Sequence, residues 1–283
     1  MNLWKRDWSL RIGTVMIRPS DGHLITIRFE VSKTSGREPN KASISIANLS
    51  DARVSSLAAM DDPDIELQAG YVGAMDTIFS GDAKDIWTTR DTPDRWTKIE
   101  AQDGGRSYRS AELDQGWDES VSLATIITSC AQAMGVGIGN AASAAARAEL
   151  DSGGAIFPTG VTISGPAWRS LDRICRSCGL RWSVQSGVLQ ISEVGRAAVV
   201  QAVRLSPSTG LIGSPSRGAK DRRTRKYTYS ATSLMRPGLY PGRVVRIESQ
   251  ELTANLLVQT THHVGDTTGE DWHVDMELQE YDS

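Results

Sequence analysis

The sequence predicts a mainly β protein in which two antiparallel β domains flank a small α+β region. Short runs of alternating apolar and polar residues recur toward both ends of the chain, and the two long helical patterns lie between them. In addition, 283 residues exceed the usual size of a single domain. We therefore expect a first β domain at residues 1–105, an α+β middle region at 106–197 and a second β domain at 198–283.

The first β domain is organised around residues 24–50. Two strands alternate there, and their apolar positions are Ile25, Ile27, Phe29, Val31, Ala42, Ile44 and Ile46. The connector between them, residues 32–40, carries several charges and is longer than a hairpin needs. Because such loops often bind partners, we expect the connector to project from the sheet, with Lys33, Arg37 and Glu38 as contact candidates.

Other elements complete this domain. A short strand ends at Pro19, and Asp21-Gly22 predicts the turn that follows. A helix begins at Ser50 or Asp51, since both residue types are good helix caps. The remaining strands are expected at residues 65–71, 77–87 and 96–101. This content suits a compact barrel or sandwich.

The middle region combines helices with a hairpin. Apolar residues at helical spacing predict one helix over residues 120–134 and another over 166–179, each ending at a glycine. The alanine-rich residues 141–150 have high helix propensity but form a short segment. Residues 182–191 predict a hairpin around Gln185-Ser186-Gly187. A helix followed by a hairpin is typical of a small α+β unit.

The final third returns to strands, expected at residues 199–205, 227–232, 243–249, 256–264 and 272–278. The last strand alternates cleanly, and its inward residues are Trp272, Val274, Met276 and Leu278. No short internal repeat is visible in the sequence. Any kinship between the two β domains is therefore expected to be architectural.

Composition argues against several classes of protein. The formal net charge of −3 argues against a general nucleic-acid or membrane-surface protein. Three cysteines give no disulfide framework, which suits a reducing compartment. The N-terminus lacks the apolar segment of a signal peptide, and no apolar run is long enough to span a bilayer. We expect a soluble protein made in the cytoplasm, with no membrane partner.

Candidate chemical sites have structural explanations. Cys175 and Cys178 form a C-x-x-C pair, a spacing found in redox and zinc sites. They lie at the C-terminal end of a helix and on its apolar face, where a thiolate is disfavoured, so a core role is favoured. His262 and His263 are adjacent on a strand and point to opposite faces, which favours a structural or subunit-contact role over a shared metal ion.

Recognisable catalytic motifs are missing from the sequence. There is no nucleophile elbow, P-loop, dinucleotide-binding fingerprint or H-E-x-x-H motif. The carboxylate pairs Asp61-Asp62 and Glu270-Asp271 fall in predicted turns, where aspartate is common for backbone reasons. We therefore expect no catalytic residues, no bound metal, no cofactor and no enzyme activity.

Residues 217–227 form the one concentrated basic run in the sequence. One interpretation is a solvated loop between strands. The other is a docking site for an acidic neighbour or for passing nucleic acid. Under the second interpretation the contact candidates are Arg217, Arg222, Arg223, Arg225 and Lys226.

Several segments carry a family resemblance across nearly the whole chain. They are EVSKTSGREPNKASISIANLS (30–50), AGY (69–71), IFSGDAKDI (78–86), AQDGG (101–105), LSPSTGLIGSP (205–215), SLMRPGLYPGRVVRIES (233–249) and HHVGDTTGEDWHVDMEL (262–278). With these segments the chain resembles the baseplate hub proteins of contractile and long-tailed bacteriophages, the late-control or tail-hub family. The motifs are mostly turns and strand edges, so they indicate the family better than any chemistry.

The resemblance implies a homotrimer in which two tail-tube-like β-barrel domains per chain form a pseudo-sixfold ring. Such a ring joins the hexameric tail tube, or a distal tail protein ring, to the trimeric spike or fibre-bearing baseplate proteins. The tape measure protein is a further implied partner, and genomic DNA passes through the lumen. The implied location is the virion, in the tail baseplate, and the implied role is structural.

Two other classes of function stay open. One is a tail-associated cell-wall-degrading enzyme that uses carboxylates or a histidine-bound metal. The other is a glycan- or receptor-binding tail module, for which the eight tryptophans offer stacking surfaces.

Overall fold

The computed structural model describes residues 5–19, 25–36, 38–91, 93–103, 110–153, 156–193, 199–221 and 225–280. The first part of the chain forms β1 (Arg6–Ile12), β2 (Val15–Ile17), β3 (Ile27–Thr34), β4 (Lys41–Ala47), α1 (Asp51–Ala58), β5 (Asp64–Tyr71), β6 (Ala74–Asp91) and β7 (Asp94–Gln102). The middle forms β8 (Gln115–Trp117), α2 (Leu123–Ala133), α3 (Ala141–Asp151), β9 (Val161–Ile163), α4 (Ala167–Ser177), β10 (Leu180–Gln185) and β11 (Val188–Glu193). The last part forms β12 (Val199–Leu205), β13 (Leu211–Lys220), β14 (Tyr227–Leu234), β15 (Arg243–Glu248), β16 (Thr253–Asp266) and β17 (Trp272–Gln279).

A single sheet joins the first and last parts of the chain. Its strand order is β13-β14-β17-β16-β3-β4-β7-β6-β5-β1-β2, and β15 and β12 extend it from β16. The two parts meet where β16 pairs antiparallel with β3, from Thr260 opposite Thr34 to Asp266 opposite Arg28. We call this pairing the β16–β3 joint. The mainly β class with an α+β insert is confirmed, and among the described strands the order is an open path rather than a closed barrel.

The same strand order occurs twice in this sheet. The first unit, β1 to β7, has the order β3-β4-β7-β6-β5-β1, and the second unit, β12 to β17, has the order β13-β14-β17-β16-β15-β12. The units differ at the last strand, because β1 runs antiparallel to β5 whereas β12 runs parallel to β15. Each unit also carries a bulge at the corresponding place. On β6 it lies between Ala83 and Asp85, and on β16 between Val258 and Thr260. The kinship between the two β parts is therefore architectural, as expected, and we call these parts the two repeat units.

One hydrophobic core lies under both repeat units, because alternating side chains of their strands point to the same side. Phe29 of the first unit packs edge-on against Trp272 of the second, with ring centroids 5.4 Å apart. The indole Nε1 of Trp272 donates a hydrogen bond to the carbonyl oxygen of Gly70 at 3.0 Å. The two ends of the chain therefore share buried contacts. The division at residues 105 and 197 stays a proposal about folding units.

The middle region has a core of its own, formed by α2, α3, α4 and the β10–β11 hairpin. Helix α2 begins at the N-cap Ser122, whose hydroxyl accepts a hydrogen bond from the Thr125 amide at 3.1 Å. The hairpin turns at Ser186 and Gly187, with φ of 52° and 77°. The helices and the hairpin lie where the sequence predicts them.

Two predicted loops are partly strand. Ser32, Lys33 and Thr34 continue β3, so the connector is reduced to residues 35–40. The alternation of buried and exposed residues in β3 extends beyond Val31, its last apolar residue, because the buried Lys33 has a hydrogen-bond partner inside the chain. Likewise Arg217 lies in β13 rather than in a loop. The predicted turn at Asp21-Gly22 lies outside the described residues.

Candidate functional site

The most extensive functional candidate is the solvent side of the sheet, which we call the polar face. It consists of the outward residues of β3, β4, β7, β14, β16 and β17. Hydroxyl and charged groups contact one another across neighbouring strands. Ser32 Oγ lies 3.0 Å from His262 Nδ1, and the Thr232 hydroxyl donates to the Asp275 carboxylate at 2.6 Å. A face held together by such cross-strand pairs is polar but ordered.

The polar face carries charges of both signs with a slight acidic excess. Its carboxylates are Glu30, Glu100, Asp266, Asp275 and Glu277, and its permanent cations are Arg28, Lys41 and Lys98. Several are paired, for example Arg28 Nε with the Asp266 carboxylate at 2.9 Å. Such a face offers no concentrated positive patch that would retain a polyanion.

A groove of about 710 Å³ crosses the polar face. The connector forms one wall, with Glu38 and Pro39, and β13 forms the other, with Ile212, Ser214 and Ser216. Its floor contains strands from both repeat units. The groove therefore lies over the β16–β3 joint.

The contact candidates named from the sequence differ in how exposed they are in the structure. Glu38, Arg217 and Arg225 are exposed, and Lys226 is partly exposed. The guanidinium of Arg217 and the ammonium of Lys220 each lie 4.6 Å from the centroid of the Tyr227 ring. Arg37, Arg222 and Arg223 lie outside the described residues. The basic run is thus anchored at its start by cation–π contacts.

Lys33 is directed into the chain instead of toward a partner. It is 5% exposed, and its ammonium donates to Ser186 Oγ at 3.0 Å. The inward alternation of Ile27, Phe29 and Val31 places Lys33 on the same face, so its parity in the sequence contained this signal. Burial is the main cause that lowers the pKa of Lys33, to about 8.

Lys33 belongs to a buried polar cluster that sequence reasoning missed, which we call the turn socket. It holds the β10–β11 turn against the first repeat unit. Asp103 accepts hydrogen bonds from the amides of Ser186 at 2.9 Å and Gly187 at 3.3 Å. Asn40 donates to the carbonyl of Val184 at 2.8 Å. The turn socket thus fixes the middle region to the sheet.

Asp103 is the carboxylic acid of the turn socket, and its pKa differs from the ordinary value. Burial raises its pKa to about 6, and the nearby Lys33 ammonium opposes this change only in part.

Burial also raises the pKa of the Cys130 thiol to about 11 and that of Cys175 further still. The Cys175 thiol is therefore a protonated core group at neutral pH, as its sequence position indicates.

His262 and His263 point to opposite faces, as predicted. His262 lies on the polar face and is half-exposed, whereas His263 is fully buried. Within the described ranges, no group of three or more His, Cys, Asp or Glu residues is placed to hold a metal ion. Among the helices of the described residues, none has the length and apolar character of a membrane span.

Comparison with known proteins gives structural neighbours only. No family model and no curated protein matches the chain. The tail protein from Neisseria meningitidis MC58 is similar in structure, with a TM-score of 0.64, 11% identity, and coverage of 98% of this chain and 97% of the other. The 43 kDa tail protein of prophage MuSo2 from Shewanella oneidensis has a TM-score of 0.64 and 10% identity, with the same coverage of 98% and 97%.

A third neighbour is the E. coli c3393 protein, a component of the type VI secretion system with structural similarity to T4 bacteriophage tail proteins. Its TM-score is 0.59 at 10% identity, with coverage of 97% of this chain and 77% of the other. At such identities the likeness shows the fold. The chain therefore has the β-rich fold of these phage tail proteins.

Proposed function

We propose that the chain is a structural hub of a phage tail baseplate. Three copies form a pseudo-sixfold ring that joins the hexameric tail tube to a trimeric spike or fibre complex. The observation that carries this proposal is the duplicated pairing pattern, with two repeat units side by side in one sheet. Three copies of a two-unit chain supply six similar units and keep threefold symmetry. That combination suits a connector between sixfold and threefold partners.

The polar face is the proposed lining of the channel. It belongs to both repeat units, so a ring of sheets presents it as a continuous wall. Its hydroxyl groups and paired charges bind water well, and its slight acidic excess repels a polyanion. DNA passing through such a lumen therefore meets no strong binding site. The tape measure protein and the distal tail ring are proposed as its other tail partners.

The test of this function is the assembly state of the purified chain. Sedimentation at micromolar concentration is expected to give three times the chain mass of 30.7 kDa. Negative-stain images of the same sample are expected to show a ring with a central opening. A monomer at every concentration would contradict the hub. Clearing of peptidoglycan by the same preparation would instead favour the cell-wall-degrading alternative.

Neutralising the exposed basic residues is expected to weaken the trimer. The variant R217Q/R225Q/K226Q removes three cations, and exposed ion pairs contribute about 0.2–1 kcal/mol each. We expect the dissociation constant of the trimer, measured by sedimentation, to rise about tenfold and the difference to shrink in high salt. The matched control R169Q/R173Q/R176Q removes three exposed cations from the region of α4. Equal effects of the two variants would mean that only net charge matters.

A further inference from the structure

The β16–β3 joint provides a template for contact between copies. In this joint the part of β16 that follows its bulge pairs with β3. In the two repeat units, β6 of the first unit corresponds to β16 of the second, and β13 of the second corresponds to β3 of the first. A contact between β6 and β13 would therefore repeat, between two chains, a pairing that already exists within one chain.

Both counterparts have an available edge in the described part of the structure. Strand β6 pairs with β5 only as far as Asp82, and among the described strands its remaining residues pair with β7 alone. Strand β13 pairs with β14 on one side and ends the described strand order on the other. Ile212 on β13 is 43% exposed. Long exposed edges of this kind are templates for pairing with another chain.

Resting on the trimeric hub proposed above, we infer that β13 of one copy pairs antiparallel with β6 of the next copy. The bulges set the register. Thr89 lies four residues beyond Asp85, as Val264 lies four beyond Thr260. Within the chain Val264 is opposite Glu30, and Ser216 occupies the place of Glu30 in the second repeat unit. Thr89 of one copy is therefore opposite Ser216 of the next.

Charge at the end of the two strands fits this register. A groove beside the start of the free part of β6 is lined by Asp61, Asp62 and Asp85, together with Lys84. Antiparallel pairing brings the end of β13, with Lys220, to this corner. The ammonium of Lys220 in one copy therefore meets carboxylates of the next copy.

Within one chain, the contact that corresponds to the corner between β6 and β13 is formed by the connector and β16. The connector at residues 35–40 follows β3, just as the basic loop follows β13. Its Ser35 amide donates to the carbonyl of Gln259, the bulge residue of β16, at 3.0 Å. The two segments that the sequence singled out as contact candidates thus begin at the ends of equivalent strands, β3 and β13. The connector closes the joint inside the chain, and in the inferred pairing the end of β13 occupies the equivalent place between chains.

Disulfide trapping in the full chain tests the inferred register. In the variant T89C/S216C the two cysteines face each other across the interface, within the range of 4.4–6.8 Å between Cα atoms that a disulfide spans. We expect oxidation to link copies covalently, so that the trimer becomes the dominant species on a non-reducing gel. The control D85C/S216C shifts one cysteine by four residues, about 13 Å along the strand, and is expected to stay at least tenfold less linked.

The outcomes separate this inference from the hub itself. A trimer in solution that T89C/S216C does not link, or that D85C/S216C links equally well, overturns the β6–β13 pairing and leaves the hub standing. A linked ladder that extends beyond three copies supports the pairing but contradicts the closed ring. A monomer that neither variant links contradicts both.

Discussion

Replacing Gly265 by alanine is expected to lower the free energy of unfolding by about 2–3 kcal/mol. Gly265 lies opposite Phe29 in the β16–β3 joint. A Cβ atom at this position would overlap three atoms of the Phe29 ring, the farthest of them at 2.9 Å. The ring is buried and packs against Trp272, which is itself fixed by its hydrogen bond to Gly70. The overlap therefore has to be relieved by moving the strands of the joint.

Urea denaturation followed by tryptophan fluorescence measures this loss as a lower midpoint. The matched control is G116A on β8, where a Cβ atom would lie 3.5 Å from the Thr162 hydroxyl, an ordinary contact. A second variant, F29L/G265A, removes the clashing ring, so its loss is expected to be smaller than the sum of the two single losses. Equal midpoints for G265A and G116A would show that the joint tolerates the extra methyl group.

Local features of the fold follow from the sequence because they depend on neighbouring residues. The alternation from Ile27 to Val31 and from Trp272 to Leu278 defines two strands and their buried faces. Apolar spacing and the N-cap Ser122 define α2 in the same way. Even the opposite orientation of His262 and His263 follows from strand geometry alone.

Features that depend on distant pairing do not follow from the sequence. The β16–β3 joint brings together residues about 230 positions apart, such as Ser32 and His262, and no local pattern specifies such a pair. The sequence does not predict β13, because Gly213, Pro215 and Gly218 disfavour a strand, although an edge strand tolerates them. The sequence predicts Lys33 as a contact candidate because it lies in the connector, yet the turn socket supplies the partner that allows its burial.

The two repeat units are not visible in the sequence either, because they share strand pairing rather than residue types. The two units share strand order and bulge position but have different side chains at matching places, such as Thr88 and His263. A pairing pattern constrains the backbone, and many side chains satisfy it. The duplicated architecture, on which the proposed ring depends, therefore becomes visible only when strand partners are known.

His263 is expected to make the protein sensitive to acid. Its ring is fully buried in the joint, and the backbone groups of Val31 and Leu239 near the ring favour its charged form less than burial disfavours it. Burial lowers its pKa to about 3, and the nearby Lys33 ammonium acts in the same direction. The unfolded chain takes up a proton near pH 6.5, whereas the folded chain does not. The stability linked to His263 is therefore present above pH 6.5 and is lost as the pH falls toward 3.

The variant H263L removes this linkage, because leucine does not titrate and an apolar side chain suits the site. Between pH 7 and pH 5, the unfolding free energy of H263L is expected to gain about 2 kcal/mol relative to the parent chain. Comparison with the parent is needed because Asp103, with its pKa raised to about 6, adds stability as the pH falls and partly masks the loss. Urea titrations at both pH values measure the difference.

The adjacent residue provides the control for this prediction. In H262L the same substitution is made one position away, on the half-exposed polar face, so it separates the loss of the buried ring from the loss of a histidine elsewhere in the joint. A parallel pH dependence of H263L and the parent would show that His263 takes up its proton in the folded state. In that case the joint would contain enough water or backbone acceptors to hold a charged ring.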